Sequence, residues 1–351
     1  MVDVNTNQAE ANIKKTVENS ATEFCGLDVG TMNFVSAKKD SNGTIATKFI
    51  RDAFIDLPVE ARQMLKLSSV SFVEKDDRVL VVGDDAFKVA NLFNREARRP
   101  LSKGIISSSE IDALEVLTLL VESVIGKTTK GFCAFSVPAE PIDADMDVIY
   151  HEGIFNSIIT SLGYNAKAVN EAEAICYSEC ADNDFTGLTI SYGAGQTNIA
   201  LVYRTMVPMK FSIARGGDWI DERVSKAVGT TASRVAAIKE TGFDIMNPTT
   251  GDPKDFRVRE ALALYYKNLI RYTLESIVFQ FNQVQDKARL PISLPLVISG
   301  GTSLAQGFVP LFKQLFSEGN KLPVEISEIR HAKKPLEAVA LGLLTYAQNI
   351  Q

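Results

Sequence analysis

Cysteine, histidine and tryptophan are scarce in this chain: four, two and one among 351 residues. Cys25, Cys133, Cys176 and Cys180 sit in apolar or mixed surroundings with no secretory signal ahead of them. They read as buried reduced thiols, which excludes a disulfide-stapled scaffold. Cys176 and Cys180 are one helical turn apart, but His151 and His331 are remote in sequence, so no zinc site is expected. Long apolar runs are missing as well. Nothing approaches the ~20 residues needed to cross a bilayer, and the N-terminal segment has no hydrophobic core to serve as signal or anchor. Residues 1–22 read as a flexible or weakly helical tail. Nor is there an excess of positive charge. The formal net charge is −6, so a basic face for nucleic acid is not indicated. What remains is a soluble, cytoplasmic chain, long enough for two domains or for one large α/β domain split by a cleft.

Along the chain, "EFCGLDVGTMNFVSAKK" and "GTIATKFI" alternate as strands around a turn at Ser41-Asn42-Gly43. A second strand pair, "VSFVEKDDRVLVVG", turns at Lys75-Asp76-Asp77. The segment from Asp84 to Arg99 reads as a helix ending in the basic run "NREARRP", taken as a solvated or inter-subunit patch. "SSSEIDALEVLTLLVESVIG" has the caps and apolar spacing of a buried helix. "GFCAFSVPAE" is a buried strand, "IFNSIITSLGY" a helix face, and "AKAVN" a strand running into the helix "EAEAICYSEC". After the polar bend Ala181 to Gly187 the plan repeats. "GLTISYGAGQTNIALVY" echoes the first strand–glycine turn–strand unit, which implies two duplicated α/β units facing across a cleft. An amphipathic helical stretch from Phe256 to about Arg289, a buried strand "LPLVISGG", the turn "GGTSLAQGF" opening a helix near Thr302 or Ser303, and a C-terminal helix complete the pattern.

Three glycine turns carry the chemistry. In "GLDVGTMN", Asp28 ends a strand and Gly30 permits a tight turn, in which the N–H groups of Gly30, Thr31 and Met32 can face an anion. Asn33 adds an amide at the tip. A carboxylate beside a phosphate makes sense only with a cation between them, typically magnesium through water. "SYGAGQTN" offers the same backbone without the acid: Gly193, Ala194 and Gly195 allow close approach, and Gln196 and Thr197 are polar. "SGGTSLAQGF" ends a strand in Gly300 and Gly301, the setting of an anion or nucleoside shelf.

With these motifs in view, the chain resembles the actin and heat-shock-ATPase superfamily, in particular its bacterial actin branch of MreB-like and MamK-like proteins. "GLDVGTMN", "ISYGAGQTNI" and "ISGGTSLAQGF" stand as its two phosphate motifs and its adenosine motif. "VLVVGDDAF", "RPLSKGII", "ARGGDWIDERV", "VAAIKETG" and "LEAVALG" fall between and after them in the expected order, so the likeness covers about residues 24–348. The resemblance implies an actin-like fold, two duplicated α/β domains each with a smaller subdomain, with ATP/ADP and Mg²⁺ in the cleft. Domain I would take residues 23–185, with a small subdomain at about 57–104 and the C-terminal helix 335–351 packed back on it. Domain II would take 186–334, with a small subdomain at about 225–265.

By the same resemblance, Asp28 would hold magnesium, while Gly30, Thr31 and Asn33 would contact the β- and γ-phosphates. Glu171 would orient the attacking water; Glu173 is the weaker candidate. Gly193 to Gln196 would wrap the phosphates, Gly216, Gly217 and Asp218 would lie along the ribose and phosphates, Lys239 and Glu240 would flank the adenosine, and Gly300, Gly301 and Thr302 would back the adenine. The family places an aspartate where this chain has Ser191 and commonly an acid where it has Asn198. Binding that outlasts weak hydrolysis follows. The expected function is an ATP-dependent filament of identical subunits, with an adaptor or cargo as a further partner. A sugar or acetate kinase of the same superfamily is the alternative, and a chaperone is not expected because no substrate domain follows the last helix. Direct membrane binding is not expected either: "NLFN", with Leu92 and Phe93, reads as core rather than as an insertion loop.

Overall fold

The strand pattern is realised as two sheets of the same topology, seen in a computed structural model that describes residues 22–349 apart from positions 41, 69, 71, 94, 284–292, 320, 321 and 323. Strands β1 (Glu23–Val29), β2 (Asn33–Lys39) and β3 (Ile45–Arg51) form an antiparallel meander. The chain then builds a small sheet from β4 (Phe54–Pro58), β5 (Phe72–Lys75) and β6 (Arg78–Val82), and a short hairpin from β7 (Leu101–Ser102) and β8 (Ile105–Ile106). It returns as β9 (Gly131–Val137) and β10 (Tyr164–Asn170), both parallel to β1, for the order β10-β9-β1-β2-β3. The helix Val148–Ser161 makes the crossover that a parallel pair requires.

The second half repeats this. β11 (Gly187–Tyr192), β12 (Thr197–Tyr203) and β13 (Met206–Ile213) form the meander, and β14 (Ser293–Ser299) and β15 (Glu325–His331) add in parallel through the helix Phe308–Ser317. The helices Glu171–Glu179 and Ala338–Asn349 lie between the sheets. Their Ala172, Ile175, Ala338 and Leu343 share one core with Ala134 of β9, Ala200 of β12 and Val297 of β14. Small residues set how close they come: a side chain at Gly342 would collide with the Ala174 carbonyl, and one at Gly26 with the Ala340 carbonyl. Separate cores fill the outer face of each sheet. All four cysteines are buried and free.

Several sequence readings need correction. The helix expected over Asp84 to Arg99 ends at Leu92. Arg98 instead pairs with Phe54 through two backbone hydrogen bonds of 2.8 Å, and Pro100 disfavours helical geometry at Arg99. Leu92 and Phe93 are exposed, not core. The helix packs Ala86, Val89 and Ala90 inward, and 3.6-residue periodicity turns Leu92 away from them. The "GGTSLAQGF" turn makes one 3₁₀ turn, Gly301–Leu304, before the helix begins at Phe308 behind Gly307, so Thr302 and Ser303 do not cap it. The long helix spans Phe256–Gln283, and the C-terminal helix begins at Ala338 rather than 335. The tail, Ser41 of the first turn and the end of the Phe256 to Arg289 stretch lie outside the described residues.

Candidate nucleotide site

Asp28 stands at the end of β1 because the strand's alternation stops at Gly30. The hydroxyl of Ser136 on β9 donates to Asp28 Oδ1 at 2.9 Å and accepts the Val29 N–H at 2.7 Å, so the strand end and the carboxylate are fixed together. In the turn, the Gly30 N–H donates to the Asn33 carbonyl at 3.2 Å, and a side chain at Gly30 would press on that same carbonyl. Thr31 is buried beneath the turn.

The second hairpin closes in the same way, with the Gly193 N–H on the Gln196 carbonyl at 2.9 Å. Three elements lock it from the second half. The N–H groups of Gly217 and Asp218 donate to the carbonyls of Gly193 (3.1 Å) and Ala194 (2.9 Å). The Thr302 hydroxyl donates to the Gly193 carbonyl at 2.7 Å. Gly300, at φ +90°, lies where a side chain would strike the Tyr192 carbonyl, so the Gly300–Gly301 turn meets the end of β11 only through glycine. Lys239 Nζ donates to Asp221 Oδ2 at 2.6 Å and to the Gly217 carbonyl at 3.3 Å. Burial pushes the Asp221 carboxyl up to about 6 against the pull of Lys239.

Glu171 opens its helix directly after the N-cap Asn170, whose side chain accepts the N–H groups of Ala172 and Glu173. That placement puts Glu171 in the same cleft as Asp28. Burial, and then the charge of Asp28, push Glu171 up to about 8, with the nearby polar side chains of Ser191 and Asn198 opposing. Burial pushes Asp28 up to about 7, with Ser136 opposing. Two buried carboxyls that hinder each other's ionisation are a fitting setting for a divalent cation, whose charge would reverse both shifts. Among the described residues no three His, Cys, Asp or Glu side chains gather into a metal cage, so any such cation would draw most of its ligands from water and phosphate. Glu173 is turned aside, accepting the Tyr177 hydroxyl at 2.9 Å.

A cleft of about 550 Å³ between the sheets brings these parts together. Asp28, Gly30, Thr31, Met32, Asn33, Glu171, Gly193, Ala194, Gly195, Gln196, Gly217, Asp218, Lys239, Glu240, Gly300, Gly301 and Thr302 all line it, with Ser191. Gly216 does not. It lies one layer back, where only hydrogen fits under the Gly193 and Ala194 carbonyls. Gln196 faces the cleft, but its amide nitrogen is committed to the Lys103 carbonyl at 2.7 Å. Sequence reading missed the apolar lining, Phe243, Tyr266, Leu304 and Leu336. It also missed Arg99. In the basic run Arg95 and Arg98 are exposed, as a solvated patch would be, and both lie beside Asp56, whereas the half-buried Arg99 reaches Asp218. No helix among the described residues is long and apolar enough to cross a membrane.

Comparison with known proteins agrees with this architecture. The family model described as Volactin matches residues 24–347. The cell division protein FtsA of Streptococcus pneumoniae serotype 2 (strain D39 / NCTC 7466) is 26% identical over 179 residues, which is 48% of this chain and 37% of FtsA. The chain therefore matches little more than a third of that curated relative's length. Among solved structures, the MamK double helical filament superposes with a TM-score of 0.69 at 19% identity, covering 94% of this chain and 100% of that one. MreB 5 of Spiroplasma citri bound to AMPPNP gives 0.67 at 13% identity, covering 94% and 97%. At such identities the likeness is one of fold, and the fold is actin-like.

Proposed function

The chain belongs to the Volactin family, and from that premise we propose that it is a cytoplasmic, actin-like cytoskeletal protein that binds ATP with magnesium and polymerises into filaments. The observation that supports this most is the convergence of three glycine turns on one cleft between twin sheets, with Asp28 and Glu171 at its phosphate end. MamK forms a double helical filament and MreB 5 binds AMPPNP on the same fold. A filament grows when a surface meets a different surface of the next copy without closing into a ring. ATP bridging the two halves would favour the assembling form. An adaptor or cargo would read the finished polymer; nucleic acid and a membrane are not invoked.

In this reading Asp28 would hold magnesium, the turns at Gly30 and Gly193 would present backbone N–H groups to the phosphates, and Glu171 would orient the attacking water. Bound there, the cation would supply neutralisation of the charge on the transferring phosphoryl oxygens. Hydrolysis is slow, because Ser191 leaves Glu171 and Asp28 without the additional carboxylate that the superfamily uses at that position. Ultracentrifugal pelleting with ATP, with ADP and without nucleotide, with phosphate release followed in the same tubes, tests the reading. ATP-driven pelleting with little phosphate supports it. A chain that stays soluble in all three conditions and phosphorylates a sugar as a monomer is a kinase instead.

A further inference from the structure

We propose that the segment Arg99 to Gly104 is a strap that sets the spacing of the two phosphate turns, with Arg99 as its positioning residue; this rests on the nucleotide reading above. Arg99 Nη2 lies 3.0 Å from Asp218 Oδ2, and Nη1 lies 3.4 Å from both Asp218 Oδ1 and the Thr31 carbonyl. Thr31 belongs to the first phosphate turn. Asp218 belongs to the helix Gly217–Val228, whose first N–H groups hold the carbonyls of the second turn. One guanidinium thus ties the first turn to the helix that carries the second. Its planar fork suits both carboxylate oxygens at once, which an ammonium cannot match.

The rest of the strap makes a second tie. The Gln196 amide donates to the Lys103 carbonyl at 2.7 Å. Gly104, at φ +85°, lies against the Gln196 side chain, and a side chain at Gly195 would run into the Gly104 N–H and the Thr31 hydroxyl. The strap's root is held by Asp52, which is buried at 1% exposure. Asp52 accepts the Leu101 N–H at 3.2 Å and donates its own N–H to the Met32 carbonyl at 3.0 Å. Burial pushes the Asp52 carboxyl well up, with the Leu101 N–H and the charge of Arg99 opposing. Backbone at Arg98 and the proline at position 100 fix the stem from which the guanidinium projects.

Phosphate binding by two opposed turns depends on their separation, and losing charge-assisted hydrogen bonds that hold it is worth about 1.5–3 kcal/mol, roughly 10- to 100-fold. The test uses the full chain and a fluorescent ATP analogue with magnesium, chased by excess ATP, in wild type, Arg99→Lys, Arg99→Ala, Asp218→Asn and the double variant Arg99→Ala/Asp218→Asn. Hydrogen exchange at the amides of Gly217 and Asp218 is followed in parallel without nucleotide. Arg99→Ala is expected to release the analogue roughly 10- to 100-fold faster, with Arg99→Lys between it and wild type. The double variant should be no worse than the poorer single one, and exchange at the two amides should quicken in Arg99→Ala with unaltered circular dichroism. Wild-type release from Arg99→Ala, or single effects that simply add, overturns the strap. If wild type binds no analogue, the nucleotide reading falls, and the exchange rates alone still decide whether Arg99 holds the second turn.

Discussion

Ser191 and Asn198 stand directly opposite each other in the β11–β12 ladder, and Ser191 lines the same cleft as Glu171. Asn198 is oriented by the Ala139 N–H, which donates to its Oδ1 at 2.8 Å. Both members of the pair are neutral and buried.

Restoring the acid should speed the chemistry. Ser191→Asp is expected to raise phosphate release from assembled protein by on the order of 10- to 100-fold with magnesium. In chelator, the added like charge beside Glu171 and Asp28 should lower the melting temperature below that of wild type. Unchanged phosphate release would show that position 191 does not limit hydrolysis.

Glu171→Gln separates binding from turnover. The amide keeps the shape of the side chain and its neighbours Ser191 and Asn198, but it cannot accept a proton from water. Filaments should still pellet with ATP, and phosphate release should fall by roughly 100-fold or more. Equal loss of pelleting and turnover would mean that the residue serves the fold instead.

Gly300→Ala should destabilise the adenosine turn. The position has φ +90° and meets the Tyr192 carbonyl where a methyl group would go. A loss of roughly 3 kcal/mol is expected in urea unfolding of the nucleotide-free protein. A change below about 0.5 kcal/mol, within the range of ordinary surface substitutions, would rule out the close approach described here.

His151 should set part of the acid limit of stability. It is fully buried, neither ring nitrogen has a partner among the described residues, and burial pushes it down to about 4 from 6.5. The unfolded chain therefore takes up this proton first. Stability is complete above pH 6.5 and falls as the pH drops toward 4, by about 3 kcal/mol in all. His151→Leu should flatten that part of the profile in denaturant titrations at pH 4 to 7. An identical slope in both proteins would assign the acid loss to other groups.

The glycine turns were legible in the sequence because a strand that ends in glycine announces itself within a few residues. The same is true of Glu171, placed by the junction of β10 with its helix. Arg99 was not legible. Its partner Asp218 is 119 positions away, and nothing local distinguishes a cleft arginine from the solvated ones beside it. Leu92 failed for a related reason: apolar character alone does not say which side of a short helix faces the sheet. Gly216 and Gln196 show the finer limit, since a motif marks a neighbourhood but not which atoms in it are already engaged with one another.

The C-terminal helix touches Gly26 of β1 through the carbonyl of Ala340, residues roughly 300 positions apart. Synthesis runs from one end, so β1 leaves the ribosome long before the helix that covers it exists. Until then Gly26, Val35 and Ala37 have no lid on that face, and the first sheet waits unfinished while the second is completed. The inner face of the first sheet is therefore closed only by a segment made after the whole of the second sheet.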